Sequence, residues 1–533
     1  MPRFQTLFLL PLLSLPALLP QALRAGDDVQ SPAAAALPAR PDMAAIEQAW
    51  AAGDFVFVRQ GLKRHAEETG TPLAQYRYGR VLLEGRGGPA DPAAAQGWLE
   101  QAVAQNHADA AVLLARLYLS GVPGGPQRDP ARAAELLKGA AARGRSEAQY
   151  YLGLLHRAGE GAAQSDGDAF TWFLAAAEAG HAGAQFELSR AYSRGLGTAP
   201  DGQEALRWLQ EAAAAGHAEA QFYLAYALDS GQGAAQDRGQ ALDWLRRAAE
   251  GGFAQAQLAL GRKYLKGDGA EANPSEALRW LGTAAAGGSA AAAAELGAAL
   301  RGRHGVAADP VRAWGLLTQA AEAGLAEAAF AMAGMREAGE GGPPDLKQAV
   351  ALFRQAAEMG SEAAVLHLGA LAGAGRLDGL MAPHRAVPWA LAAARAGDAA
   401  AQGWLEGQAG AGLRPAQTAL GLLISAREDL TEAGADRAAG LFLAAAEGGD
   451  TEAQHQLGLL HIKGQGVAQD YVQAHKWLNI AAAGGHAKAL EMRAVADDLM
   501  TPEQLAEAQA AARVFFEQAA PPEHVLQDAG ASQ

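Results

Sequence analysis

Residues 208–221 read WLQEAAAAGHAEAQ. Residues 172–185 read WFLAAAEAGHAGAQ, and residues 244–257 read WLRRAAEGGFAQAQ, so the copies lie 36 residues apart. Each has an aromatic anchor, an alanine cluster, a glycine and, in two of the three, a histidine. Two readings compete: a chemical site carried by His181 and His217, or the joint at which one structural unit hands over to the next. The register of the surrounding chain decides between them.

The alanine that opens each EAQ-like segment recurs at Ala74, Ala110, Ala148, Ala184, Ala220, Ala256, Ala292, Ala328 and Ala364. Every interval is 36 residues except one of 38, where the loop SGVPGGPQRD (120–129) is longer. The alanine returns at Ala453 and Ala489. Tryptophan keeps the same beat, at Trp172, Trp208, Trp244 and Trp280, 24 residues past the alanine in four successive units.

Each unit reads as two helices. Ala148, Leu152 and Leu155 fall at i, i+4 and i+7, one helical stripe. Ala205, Trp208, Leu209, Ala212 and Ala213 form a second stripe, and Gly216 supplies the left-handed residue that ends it. Gly-x-Gly turns separate the helices, as at Gly195/Gly197, Gly231/Gly233, Gly267/Gly269 and Gly464/Gly466. Asp91-Pro92, Asp129-Pro130, Asn273-Pro274 and Asp309-Pro310 are N-cap and N1 signals for the second helix. One hairpin cannot bury its apolar stripe alone, whereas stacked hairpins can. The expected fold is all-α, a solenoid of about eleven 36-residue helix-turn-helix repeats. The register falters near 380–435, where Ala364 to Ala416 spans 52 residues and a second-helix pattern merges into the next first helix.

The stretch EAQHQLGLLHIKGQGVAQDYVQAHKWLNIAAAGGHAKA (452–489) combines A-x-x-x-L-G, G-x-G-V, D, A-x-x-W-L and A-A-x-x-G. In this it resembles the Sel-one-like repeats, a subclass of the tetratricopeptide-like helical hairpins, over about residues 54–495. The resemblance implies a right-handed superhelical scaffold that assembles other proteins on a concave face lined by the first helices. Exported bacterial members are linked with envelope processes, exopolysaccharide control, signalling and host contact. Some of them are cysteine-rich; this chain is not.

The chain divides as follows. Residues 1–25, with Arg3, an apolar run Leu7–Leu19 and Ala25, read as a secretory signal peptide. Residues 26–45 are an Ala/Pro-rich linker, 46–73 an N-terminal partial repeat and 74–495 the repeat array. Residues 496–520 form a capping helix that opens at Thr501-Pro502-Glu503-Gln504 and carries Leu505, Phe515 and Phe516, and 521–533 are a flexible tail. Export makes the expected location periplasmic or secreted, with no stable membrane insertion after cleavage.

Among 533 residues there is no cysteine, and the net charge is −15. The first excludes disulfides, thiolate metal sites and a cysteine nucleophile. The second argues against nucleic acid as a partner, because no basic stripe is available to neutralise phosphates.

The candidate sites resolve as structure. His181, His217 and His486 share their position with Phe253, Ser289, Leu325 and Ser361, so they read as joint residues, and equivalents one repeat apart are too far separated to share a metal. His455, His461 and His475 cluster in one unit, but His455 and His461, six apart, do not share a helical face. No metal and no cofactor is expected. The Gly-x-Gly turns lack every phosphate-loop signature, and G-x-S-x-G and H-E-x-x-H are absent. Asp497-Asp498 reads as a solvated loop. No catalytic residue is expected.

Three residues past the repeat alanine the chemistry changes from unit to unit. Arg77, Tyr151, Glu187, Tyr223, Glu295, His367 and Gln456 are therefore the candidate protein-binding residues, with Tyr151 and Tyr223 as exposed anchors. Tyr150, Phe186 and Phe222 occupy one repeated position and are expected in the core. The expected function is a non-enzymatic exported scaffold that binds a partner protein of unknown identity. The alternatives are a glycan- or exopolysaccharide-associated scaffold and an envelope-polymer hydrolase with a site built across repeats.

Overall fold

The computed structural model describes residues 42–518, with 27 helices and no strand among them. The expected signal segment, the linker up to residue 41 and the tail 521–533 lie outside the described residues. These fall into two compact units that divide between Gly288 and Ser289.

The first unit begins with the helix Met43–Ala52, which starts inside the stretch expected as linker. Asp42 is its N-cap, accepting from the Ala45 amide at 2.7 Å. Phe55–Thr69 follows, and then six hairpins. Their first helices are Pro72–Glu84, Ala108–Ser120, Ser146–Ala158, Ala182–Arg194, Ala218–Ser230 and Ala254–Lys266. Their second helices are Pro92–Ala104, Pro130–Ala141, Asp166–Glu178, Gly202–Ala214, Arg238–Glu250 and Pro274–Ala286.

The second helices start where the side chains dictate. Asp91, Asp129, Asp237 and Asn273 each accept the amide three residues on, at 2.9–3.1 Å. That satisfies one of the amides left without a partner in a first turn. The repeat alanines Ala148, Ala184, Ala220 and Ala256 have no solvent exposure at all. Five residues past each alanine the side chain is small, for a steric reason. At Gly153 an added Cβ would lie 2.5 Å from the Phe173 ring, and at Gly261 2.6 Å from Leu281 Cγ. The first helix thus makes room for the large residue next to the tryptophan position on its own second helix. Where serine stands there, Ser189 Oγ donates to the Ala205 carbonyl at 2.7 Å, so helix–helix approach is close in that repeat too.

The Gly-x-Gly turn has two jobs. Gly195, at φ 73°, ends its first helix. Gly197, at φ 72°, lies so near the Asp166 carbonyl that a Cβ would overlap it. Asp166 begins the second helix of the preceding repeat, so the turn grips the neighbouring hairpin.

The second unit holds the hairpins Ala290–Ala299/Pro310–Glu322, Ala326–Ala338/Leu346–Glu358 and Glu362–Gly373/Pro383–Arg395. The helix Ala399–Gly410 then stands without a second helix and leads directly into Arg414–Ser425. It is built as a first helix: Asp398 follows the left-handed Gly397 and caps the helix at φ −73° and ψ 105°, the geometry of the joint caps such as His217, and Ala401 is fully buried. The 52-residue step is thus a full hairpin plus one extra first-type helix, rather than a second-helix pattern running into a first helix. Glu432–Glu447, the hairpin Thr451–Lys463/Tyr471–Ala483, Ala487–Asp497 and Pro502–Gln518 complete the unit.

The last helix opens on a reciprocal capping box. Thr501 Oγ1 accepts from the Gln504 amide at 3.3 Å, and Gln504 Oε1 accepts from the Thr501 amide at 2.9 Å. Phe515 packs edge-on against Trp477 with centroids 5.5 Å apart, closing the apolar end of the stack. No helix among the described residues is long and apolar enough to cross a membrane.

Candidate functional site: the repeat joint and the first-helix face

The joint after Trp208 is continuous hydrogen-bonded backbone. Gly216, at φ 87°, donates to the Ala213 carbonyl at 3.1 Å, and the His217 amide donates to the Ala212 carbonyl at 3.0 Å. That is a Schellman closure of one helix. His217 then opens the next: its ring Nδ1 accepts from the Ala220 amide at 3.2 Å. Gln221 reaches back across the joint, its buried side chain donating to the Ala213 carbonyl at 3.0 Å. Gln185, Gln257 and Gln454 do the same for Ala177, Ala249 and Ala446, at 3.0–3.4 Å. This clasp was not anticipated from sequence, although the repeated AQ pair carries its signal.

The capping histidine recurs with one geometry. His107, His181 and His486 Nδ1 accept from the Ala110, Ala184 and Ala489 amides at 3.1–3.2 Å. Each ring stacks on an aromatic of the preceding first helix: His107 on Tyr76 at 4.9 Å, His181 on Tyr150 at 4.5 Å, His217 on Phe186 at 4.8 Å and His486 on His455 at 4.2 Å. Burial pushes the pKa of His107, His181 and His217 below the ordinary histidine value. At other joints Ser289, Ser361, Asp398 and Asp450 cap through oxygen. The joint histidine is thus one of several interchangeable N-caps.

One group has a metal-like donor set. Glu452, His455 and His486 bring one ligand atom each to within 4.8 Å of the others. The two imidazoles are not equivalents one repeat apart: His455 stands at the stacking position of the preceding first helix and His486 at the joint. The hydrogen bonds nevertheless commit His486. Its Nδ1 accepts the Ala489 amide, so Nε2 carries the proton and donates to Glu452 Oε2 at 2.9 Å. The other Glu452 oxygen accepts from Gln456 at 2.7 Å. A cation bound at Nε2 would have to displace that proton and move it onto Nδ1, which would break the cap. His461 Nδ1 lies instead 3.3 Å from the Ala468 carbonyl, and buried His475 lies 3.0 Å from Asp497. Asp497 therefore closes a helix against a buried ring rather than sitting in a solvated loop.

The structure moves the candidate binding residues inward. Tyr151, Glu187 and Tyr223 are only 7–8% exposed, so the tyrosines are not the exposed anchors expected. Tyr223 stacks on Phe186 at 5.9 Å. Glu187 is held by Arg157 and by Arg190, the latter at 3.3 Å. Arg77 lies 3.3 Å from Glu47, His367 Nε2 lies 2.7 Å from Glu337, and Gln456 serves Glu452. Glu295 is half-buried. These residues sit one per repeat and do not converge on one site. Of the expected core positions Phe186 is buried, while Tyr150 and Phe222 are half-buried.

One turn further on, six residues past the repeat alanine, the first unit carries Arg80, Arg116, Leu154, Arg190, Tyr226 and Arg262. Tyr226 is 49% exposed, and Arg80 and Arg262 are exposed. Positions three and six past the alanine are neighbours on one helix face, so buried Tyr223 and half-exposed Tyr226 lie on the same side of their helix. The six first helices of this unit hold nine Lys/Arg against six Asp/Glu, in a chain whose net charge is −15.

A family model for the Sel1 repeat matches ten stretches: 72–107, 108–144, 146–181, 182–217, 218–253, 254–289, 290–325, 326–361, 414–450 and 451–486. The chain belongs to the Sel1 repeat family. Its fold is similar to that of c5321, a protective antigen present in uropathogenic Escherichia coli strains and displaying an SLR fold. The TM-score is 0.53 and the identity 27%, over 89% of this chain and 98% of that one. A Sel1 repeat protein from Oxalobacter formigenes matches at 25% identity over 46% of this chain and 97% of its own, with a TM-score of 0.41. No curated protein matches the chain. The Sel1 array is a helical-repeat scaffold of the type that generally mediates protein–protein interaction, and the family boundaries fall on the capped joints His107, His181, His217, Ser361 and His486.

Proposed function

We propose that this Sel1 repeat protein is an exported, non-enzymatic adaptor that binds a partner protein along the first-helix face of residues 72–266. The observation that carries the reading is Tyr226, half exposed and flanked one repeat away on either side by Arg190 and Arg262 at the same register position. Tyrosine and arginine are the residues on which interface affinity concentrates. The cationic excess of these helices in an acidic chain favours a partner segment rich in carboxylates. Arg80 and Arg190 already pair within the chain, at 2.6 Å to Glu84 and 3.3 Å to Glu187. The Arg80 pair is partly exposed and worth about 0–1 kcal/mol, so a partner's carboxylate can replace it at small cost, whereas Arg190 stays with buried Glu187. Export rests on the Arg3–Ala25 segment, and the description of the similar Escherichia coli protein as a protective antigen supports it.

The experiment is a photo-crosslinking amino acid placed at Tyr226 in intact cells, with the captured protein then identified and its binding measured with purified components. The reading requires one protein whose affinity falls at least tenfold on Tyr226→Ala with Arg262→Glu and weakens with salt. Capture of glycan alone, or binding indifferent to both substitutions, overturns it.

A further inference from the structure

His107, His181 and His217 hold three joints of the first unit through one atom each. In each ring Nδ1 is the acceptor for a first-turn amide, which only an unprotonated Nδ1 can be. We propose that these three joints make the first unit acid-sensitive: protonation of the ring removes the acceptor, unseats the N-cap and loosens the seam between consecutive hairpins, while joints capped by serine hold.

The surroundings of each ring set the sign. His107 faces the Tyr76 ring on one side and the ion pair of Asp109 with Arg145, 2.8 Å long, on another. Asp109 favours the imidazolium, Arg145 opposes it, and burial opposes it most. His181 lies against Tyr150, with burial as the main influence. His217 lies against Phe186; Glu187 is the carboxylate that favours its charge, and His181 opposes it. Glu187 is itself held by Arg157 and Arg190, and burial remains the larger influence at His217. At all three joints the fold favours neutral histidine. The contribution is therefore fully present above the ordinary histidine pKa of about 6.5 and is lost as pH falls below it. His486 sits in the other unit and differs: its Nε2 proton goes to Glu452 at 2.9 Å.

The chain carries its own controls. Ser289 and Ser361 cap the same position in the second unit, accepting from the Ala292 and Ala364 amides at 3.3 Å. Hydrogen exchange of the full chain at pH 7.5 and pH 5.0, corrected for intrinsic rates, tests the proposal. Protection at Ala110, Ala184 and Ala220 is expected to fall about fivefold more than at Ala292 and Ala364, the factor matching the typical worth of an N-cap. The variant His107→Ser/His181→Ser/His217→Ser is expected to abolish the difference, and the wild-type comparison stands alone if that variant does not fold. Equal loss at histidine- and serine-capped joints, or a variant that keeps the wild-type acid response, overturns the proposal.

Discussion

Phe186 and His217, 31 residues apart, stack with ring centroids 4.8 Å apart and planes 25° from parallel. The contact joins the first helix of one repeat to the cap of the next, while the His217 ring also accepts the Ala220 amide. One residue thus ends a helix through its own backbone amide, starts another through its ring, and packs on the preceding hairpin.

The two tyrosines of one helix separate structure from function. Tyr223→Ala removes a buried ring and is expected to destabilise the array by about 3–5 kcal/mol. Tyr226→Ala is expected to stay within about 0.5 kcal/mol of wild type while lowering partner affinity. Denaturant unfolding read beside a binding isotherm checks both at once.

Glycines in one repeat should answer alanine in opposite directions. At Gly261 a Cβ would lie 2.6 Å from Leu281 Cγ, so Gly261→Ala is expected to cost about 1–3 kcal/mol through overpacking. Gly282 lies within the helix Pro274–Ala286 with open space around it, and Gly282→Ala is expected to stabilise by about 0.4–1 kcal/mol. Thermal unfolding midpoints that move in the same direction would contradict the packing account.

The glutamine clasp should matter at the joints that carry it, those of Gln185, Gln221, Gln257 and Gln454. Gln221→Ala leaves the buried Ala213 carbonyl without its side-chain donor and is expected to cost about 1–2 kcal/mol. Exchange protection should drop first in the flanking helix ends, measured by mass spectrometry of peptides covering 208–224.

The Glu452–His455–His486 group should not behave as a zinc site. Added zinc is expected to leave the unfolding midpoint unchanged, because His486 has both nitrogens committed. His486→Ser should retain the cap, whereas His486→Ala should lose about 1 kcal/mol. A zinc-induced rise in the midpoint that disappears in Glu452→Gln would contradict this.

The repeat was legible because two landmarks kept phase over several hundred residues, and because caps and turn glycines are local chemistry. The exposed side of the first helices was legible only in part. Periodicity placed Tyr223 and Tyr226 on one side of a helix, but which of them is covered depends on Phe186 from the preceding repeat, a contact between residues 37 positions apart. The extra helix Ala399–Gly410 was obscured for a related reason. Its Trp404 and Leu405 mimic a second-helix anchor, and only the cap at Asp398 with the buried Ala401 marks it as a first helix. The meeting of His455 with His486 needed the fold itself, since their sequence spacing matches no ligand motif.

The proposed partner protein lies along the first-helix face at Tyr226. Site-specific photo-crosslinking in intact cells at position 226, with parallel probes at buried Tyr223 and at Val311, which is 80% exposed on a second helix, tests it most directly. One protein adduct is expected at 226, lost with Arg262→Glu, with no corresponding adduct at 223 or 311. The same adduct at all three positions, or none at 226, would contradict it.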